Sequence, residues 1–286
     1  MANAFSRSWE ITKFTFHVIR QDKELLLFPI LAGLFSVLFL LALLFPTLIV
    51  SFLNAGRAEW GTSAYALLFV AYLGLAFIAT FFNVCVVYTT KRRLEKGNAT
   101  FGESMRFALS KIHLILSWSL LAAVVGLLLR ILERMAQRGR GSLLLRFAAS
   151  ALGMAWGILA IFVVPSMVYY SLGPIEAIKK SAQVLRKAWG ESLICYISLG
   201  LVQAAFIIAG ILVGILLILI SQSLGTAALI FAIALLVLYL LAVIIIFSVA
   251  NTVFSTALFV YADKGRIPHG FSREVVQAAF KPESLI

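Results

Sequence analysis

The residues that could carry acid–base or nucleophilic chemistry are few and scattered. The chain has twelve acidic residues, all outside its long apolar segments, and three histidines, His17, His113 and His269. Enzymes bring acids, bases or nucleophiles together at one site, and none of these histidines lies in an HExxH or HxxE pattern. The sequence therefore predicts that the protein is not an enzyme and has no catalytic residue.

Motifs for metals and cofactors are also missing from the sequence. The two cysteines, Cys85 and Cys195, lie far apart inside apolar segments. Neither a GxxxxGK[ST] string nor a GxGxxG string occurs, so the glycine-rich loops that bind phosphates are absent. We expect no metal and no cofactor.

Three amide side chains, Asn83, Gln203 and Asn251, lie in the middle of apolar segments. In membranes such amides usually hydrogen-bond to a neighbouring helix, and each bond contributes about 1 kcal/mol. The alternative is that they line a polar path for a substrate. Because no charged residue lies near a segment centre, ion-coupled transport is disfavoured, and helix packing is the favoured role.

Five arginines between the third and fourth apolar segments could bind phosphate. Guanidinium groups bind phosphate through two parallel hydrogen bonds, so this group is a candidate contact for a phospholipid or another anion. The alternative is that the long side chains only reach water from the end of a short helix. The arginines are Arg130, Arg134, Arg138, Arg140 and Arg146.

Four short segments that mix basic and apolar residues give the strongest functional signal. They cover residues 6–14, 101–109, 174–181 and 271–280. Helices of this kind lie in the membrane interface, and each basic residue near an anionic leaflet contributes about 1 kcal/mol. We predict that they form a cytoplasmic collar that contacts lipid or a protein partner, or alternatively that they cap the bundle.

The third of these segments has the clearest helical pattern. Pro174 suits the first turn of a helix and Glu176 suits its positive N-terminal end. The apolar residues are predicted to share one face; they are Ile175, Ile178, Ala182 and Leu185. The candidate lipid or anion contacts here are Lys179, Lys180, Arg186 and Lys187.

The composition excludes a soluble domain. Hydrophobic residues make up 62% of the 286 residues and charged residues 13%, whereas soluble domains are about half apolar and a quarter charged. The formal net charge is +12, and the basic residues lie in short segments between apolar runs. That distribution predicts membrane lipids as partners and no nucleic acid.

Six apolar segments are long enough to cross a hydrocarbon core of about 30 Å as helices. Four of them are residues 25–53, 64–90, 112–129 and 147–170. Residues 192–262 carry no charge and break best at residues 221–225, which gives two more; the alternative is a third span there, with a break near Asn251. Continuous apolar runs favour helices over a barrel, so the expected fold is an all-α, six-span bundle.

Basic residues are concentrated in the N-terminal segment, the second and fourth loops and the C-terminal segment. The positive-inside rule places those segments in the cytoplasm. We therefore predict a multi-pass protein of the plasma (inner) membrane with both termini cytoplasmic.

The second, fourth and sixth spans each end on a tyrosine, Tyr88, Tyr170 and Tyr261, a residue type found at headgroup level. The chain thus repeats one unit, amphipathic helix and two spans, three times. We predict a single membrane domain, 1–286, with repeats at about 5–90, 100–170 and 174–261 and a further helix at 270–281. Repeats frame a central site in transporters; a triplicated hairpin without a site is the favoured alternative.

Two GxxxG strings, Gly153–Gly157 and Gly210–Gly214, would let helices approach closely. Packing within the chain is favoured over dimerisation, and the oligomeric state stays open.

The string GPIEAIKKS at residues 173–181 is similar to one that follows a membrane helix in several prokaryotic families, including the membrane domain attached to some glycerophosphodiester phosphodiesterases. Residues 7–10 (RSWE) and 22–29 (DKELLLFP) resemble an uncharacterised prokaryotic family of six-span integral membrane proteins. The resemblance implies a membrane protein without an assigned activity. The phosphodiesterase reaction is not implied, because the catalytic domain of those enzymes is a separate soluble barrel.

These features predict a lipid-contacting scaffold or accessory subunit. The first alternative is a transporter or channel for a lipid or small amphiphile, with its path between the repeats. The second is a membrane-embedded enzyme that modifies lipids.

Overall fold

The computed structural model describes residues 22–53, 62–95, 97–138, 143–187 and 191–265. It is about 93% helical and has no strand in these ranges, which confirms the all-α prediction. The α-helices of the described ranges are α1 Leu27–Leu53, α2 Thr62–Leu94, α3 Phe101–Ser110, α4 Ile112–Arg138, α5 Leu143–Ala160, α6 Val163–Tyr170, α7 Pro174–Lys187, α8 Glu191–Ser221 and α9 Thr226–Lys264.

Six helical segments in the described ranges are long and apolar enough to cross a membrane, as predicted. They are Lys23–Pro46, Ala66–Leu94, Ile112–Ala136, Leu145–Tyr170, Leu199–Leu224 and Thr226–Lys264. The third segment is longer than expected. It continues as helix past Leu129, so Arg130 and Arg134 lie on the last turns of α4 and not in a loop.

The chain divides into two compact units. The four-span unit is Leu27–Lys187, and the hairpin unit contains, among the described residues, 22–26 and 191–265. The expectation of a single membrane domain built from three repeats stays a prediction.

Helix α2 is the centre of the four-span unit, because it contacts α1, α3, α4 and α6. A Cβ atom at Gly74 of α2 would overlap the Phe39 ring of α1, so a larger residue there would have to displace this ring. Trp118 of α4 and Trp156 of α5 stack with their ring centroids 5.7 Å apart. Close contact and aromatic stacking therefore hold these helices together.

The fourth span is interrupted at Ile161 and Phe162, between α5 and α6. Pro165 accounts for the break. Its ring would clash with the carbonyl of the residue four positions earlier, Ile161, and it has no N–H to donate. The helix resumes with the bond from the Ser166 N–H to the Phe162 carbonyl.

In the hairpin unit, helices α8 and α9 are joined by a 3₁₀ turn at Gln222–Leu224 and by Gly225. Gly225 has φ of +99°, a conformation that side chains disfavour, so the turn falls where the sequence predicted it. Helix α9 runs unbroken through Asn251. Residues 192–262 therefore contain two long helices, and the alternative of a third span is wrong.

Candidate functional site

Helix α3 begins at a capping box. The Thr100 hydroxyl accepts a hydrogen bond from the Glu103 N–H at 3.3 Å, and the Glu103 carboxylate accepts one from the Thr100 N–H at 3.0 Å. These bonds satisfy two backbone donors that a helix start leaves unpaired. The Glu103 side chain is therefore committed to the first turn.

Helix α3 packs on the end of α2 through small and polar side chains. Ser104 and Ala108 have no exposed surface. The hydroxyls of Ser104 and Thr89 are 2.7 Å apart, and the Cys85 thiol donates to the Ser104 carbonyl at 3.6 Å. The Phe107 ring stacks on Tyr88, with centroids 4.2 Å apart.

Helix α7 begins at Pro174, as predicted. The Ala177 N–H donates to the Gly173 carbonyl at 2.8 Å, and the Glu176 carboxylate lies so close to Gly173 that a Cβ there would be 2.7 Å from it. A carboxylate at this end is stabilised by the helix dipole. Glu176 thus serves the helix start, as Glu103 does in α3.

Helix α7 packs through Ala177 and Ser181, which have no exposed surface. The Ser181 hydroxyl donates to the Leu159 carbonyl of α5 at 2.6 Å. That carbonyl lies just before the break caused by Pro165, where α5 leaves main-chain acceptors unpaired. The Ser181 hydroxyl therefore links α7 to the fourth span at the point where that span is interrupted.

Lysines lie over the two tyrosines that end α6. The Lys180 ammonium is 4.9 Å from the centroid of the Tyr170 ring, and the Lys91 ammonium of α2 is 4.7 Å from that of Tyr169. Such cation–π pairs contribute about 0.5–1 kcal/mol at exposed sites. They connect the ends of α2, α6 and α7 within the four-span unit.

The outward faces of α3 and α7 each combine an exposed apolar residue with an exposed basic residue. On α3 these are Leu109, 54% exposed, and Arg106; on α7 they are Ile175, 58% exposed, and Lys179. Whether the predicted apolar face of α7, which includes Ile175, contacts lipid stays a prediction. The buried face of α7 consists of Ala177 and Ser181 and, nearer the end of the helix, of Val184 and Leu185.

Helices α3 and α7 match position by position. In each helix the third residue is a glutamate at the helix start, the fourth and eighth are fully buried, and the sixth is basic and exposed. The seventh residue lies on a tyrosine near the end of a span. The matched pairs are Glu103 and Glu176, Ser104 and Ala177, Arg106 and Lys179, Phe107 and Lys180, and Ala108 and Ser181.

The other predicted basic contacts also lie on α7. Arg186 and Lys187 are exposed in its last turn and Lys180 is half-buried. The amphipathic segments predicted at 6–14 and 271–280 lie outside the described residues.

The arginines between the third and fourth spans do not form one cluster in the described structure. Arg130 pairs with Glu133 at 3.5 Å, both exposed, and Arg134 is exposed one turn further on. The Arg146 Nε donates to the Ala136 carbonyl at 3.3 Å and so caps the end of α4. Arg138 ends α4, and Arg140 lies outside the described residues.

The three amides are partly buried in long helices, Asn83 in α2, Gln203 in α8 and Asn251 in α9. The Asn83 Oδ1 atom is buried and has no hydrogen-bond partner in the described part of the chain. Whether the amides pack or line a path stays a prediction. In the described ranges no three His, Cys, Asp or Glu side chains are grouped as metal ligands.

Sequence reasoning missed the buried hydroxyls of Thr89, Ser104 and Ser181 as the anchors of the short helices. A signal was present, because small residues recur four positions apart, as Ser104 and Ala108 and as Ala177 and Ser181. That spacing places both members of each pair on one helical face.

The six apolar helices of the described ranges, with short helices packed on the ends of the spans, define a multi-pass α-helical membrane protein. A model described as a family of unknown function (DUF6159) matches residues 62–270. The match covers more than half of the chain, which therefore belongs to this family. No curated protein matches the chain.

Proposed function

We propose that the protein is a non-enzymatic scaffold or accessory subunit of the plasma membrane that binds anionic lipid headgroups through α3 and α7, with both termini in the cytoplasm. The observation that carries the proposal is that each helix has an outward face with an exposed apolar residue beside an exposed basic one: Leu109 with Arg106, and Ile175 with Lys179. Interfacial helices have this pattern.

The contacts of the two helices with tyrosines near the span ends support this assignment. Each helix stacks its seventh residue, Phe107 or Lys180, on a tyrosine, Tyr88 or Tyr170. Tyrosines at span ends lie at headgroup level, so Arg106 and Lys179, one position earlier, lie within reach of lipid phosphates.

The charge balance also favours anionic headgroups. Glu103 accepts a hydrogen bond from the Thr100 N–H at the start of α3, and Glu176 lies in the first turn of α7, where the helix dipole stabilises a carboxylate. The basic residues on and next to these two helices outnumber these two glutamates. They are Arg106, Lys111, Lys179, Lys180, Arg186 and Lys187. In α7, the last turn adds Arg186 and Lys187, which also suit the negative end of the helix dipole.

The match between α3 and α7 supports the further proposal that the chain repeats one structural unit. The N-terminal sequence has the same residue types at the same spacing, with Glu10, Lys13 and Phe14 where α3 has Glu103, Arg106 and Phe107.

Lipid selectivity in nanodiscs tests the proposal. The full chain is reconstituted in equal parts of phosphatidylcholine and phosphatidylglycerol, and lipids retained on extraction are identified by native mass spectrometry. We expect the wild type to retain phosphatidylglycerol preferentially and the double variant Arg106→Gln/Lys179→Gln to lose that preference. Arg130→Gln/Arg134→Gln is the matched control and should keep it. A wild type without preference, or loss only in the control, contradicts the proposal.

A second candidate, a transporter or channel for a lipid or small amphiphile, is favoured by one observation. A buried amide oxygen without a partner, as at Asn83, destabilises a dry bundle, whereas water or a polar substrate would satisfy it. In a Cys85→Ala/Cys195→Ala background, Asn83→Cys should react with a water-soluble thiol reagent if a path reaches it. No reaction in the folded protein would contradict this candidate.

A further inference from the structure

The hairpin unit is longer than the membrane it crosses. Helix α8 has 31 residues and α9 has 39, which correspond to about 46 Å and about 58 Å. The hydrocarbon core is about 30 Å thick. Residues 192–262 carry no charge, so apolar surface continues along the hairpin well beyond one core thickness.

A cleft of about 310 Å³ lies between α8 and α9. Its walls include Ala209, Gly210, Val213 and Leu217 of α8 and Leu235 and Tyr239 of α9. Ala209 lies about 27 Å along α8 from Glu191, and Tyr239 about 36 Å along α9 from Asp263. The cleft is therefore about one core thickness away from the charged ends of both helices.

Glycine contacts give the cleft fixed walls. A Cβ at Gly210 would overlap the Tyr239 ring, and one at Gly214 would lie 2.5 Å from the Leu236 side chain. The Tyr239 hydroxyl donates to the Phe206 carbonyl at 3.0 Å, which holds the ring across the gap. The cleft is thus bounded by groups that direct contacts keep in place.

The chemistry of these walls selects a hydrocarbon occupant. The one side-chain polar atom among the lining residues, the Tyr239 hydroxyl, already donates to a carbonyl. Water needs two to four polar partners in a buried site, and a lipid headgroup needs polar or charged groups. The walls offer no such polar or charged groups. Val213 and Leu235 are partly exposed beside the cleft, so an acyl chain could enter from the side.

We propose that this cleft binds one acyl chain of a membrane lipid or fatty acid. The bound acyl chain would cover the apolar surface of the cleft, which lies about one core thickness along the helices from their charged ends. This inference requires only that the hairpin lies in the membrane and does not depend on headgroup binding by α3 and α7.

Filling the cleft tests the proposal. The full chain is reconstituted in nanodiscs of dioleoyl lipids and analysed by native mass spectrometry at increasing activation. Ala209→Phe places a ring in the cleft, and Ala205→Phe, at an exposed α8 position that does not line it, is the matched control. We expect the wild type and the control to keep one adduct that resists removal, and Ala209→Phe to keep it at least about tenfold less, the effect of losing about two methylene contacts.

The adduct mass distinguishes a phospholipid from a fatty acid, and either one supports the proposal. Equal retention in Ala209→Phe and the wild type overturns it, as does a protein dimer that Ala209→Phe dissociates, since a second copy would then cover the cleft. Val213→Phe is the second filling variant should Ala209→Phe fail to fold. Arg106→Gln/Lys179→Gln should keep this adduct, so failure here is distinguishable from failure of the proposed function.

Discussion

The short helices of the four-span unit and the two long helices of the hairpin unit are held in different ways. In the first, the short helices α3 and α7 are fastened by buried hydroxyls, such as Ser104 with Thr89 and Ser181 with the Leu159 carbonyl, and by residues stacked on tyrosines. In the second, α8 and α9 meet through glycines against Tyr239 and Leu236. The hydroxyl hydrogen bonds of α3 and α7 lie next to basic residues near the span ends. The close apolar packing of α8 and α9 lies in a segment that carries no charge for many helical turns.

The two GxxxG strings show the same contrast. Gly210 and Gly214 are closed over by side chains of α9, whereas a Cβ at Gly153 or Gly157 would meet nothing within 4 Å. The hypothesis that a GxxxG string packs against another helix of the chain is confirmed for Gly210 and Gly214 only. A GxxxG string thus identifies a face that allows close approach, and the neighbouring helix decides whether the approach occurs.

The largest expected effect comes from the glycine contrast. Gly210→Ala should lower the free energy of unfolding by about 2 kcal/mol, because the new methyl group overlaps the Tyr239 ring and overpacking costs about 1–3 kcal/mol. Gly153→Ala should raise it by about 0.5 kcal/mol through better helix propensity. Both are measured by reversible unfolding in bicelles, and equal effects of the two variants would remove the contrast.

A smaller effect is expected at the start of α3. Thr100→Ala removes the hydroxyl that accepts from the Glu103 N–H, so we expect a loss of about 1 kcal/mol in the free energy of unfolding. Hydrogen exchange of the first α3 amides should increase at the same time. The expectation is wrong if protection of those amides is unchanged.

The anchor of α7 should contribute slightly less. Ser181→Ala removes the bond to the Leu159 carbonyl, and side-chain bonds between membrane helices average about 0.6 kcal/mol. Ser150→Ala, at an exposed position of α5, is the control and should have no measurable effect. Urea- or detergent-induced unfolding of both variants gives the difference.

The smallest effect is expected at the exposed ion pair of α4. Arg130→Gln breaks the pair with Glu133, and exposed pairs contribute about 0–1 kcal/mol. We expect a change below about 0.5 kcal/mol. A loss well above that, measured under the same unfolding conditions, would show that Arg130 has a structural role.

Much of the fold could be predicted from local sequence. The six spans follow from long uncharged runs, the turn of the hairpin from Gly225, and the start of α7 from Pro174. In each case one residue type has a strong conformational or solvation preference that few neighbours can override.

The remaining features depend on packing that a single segment does not contain. The apolar pattern of α7 does not reveal that the small residues Ala177 and Ser181 form its contact with α5. Helix α4 continues past Leu129 because Arg130 can stay solvated on its exposed face. The hydropathy of a single segment predicts neither the contact between α7 and α5 nor the length of α4.

The most direct test of the account is the membrane depth of α3 and α7. In a Cys85→Ala/Cys195→Ala background, spin labels are placed singly at residues 109 and 175, which are exposed and apolar, and at residues 103 and 183, which are exposed and polar. In nanodiscs, the account predicts that labels at 109 and 175 are relaxed by oxygen dissolved in lipid and that labels at 103 and 183 are relaxed by an aqueous nickel complex. All four labels behaving as aqueous would contradict it.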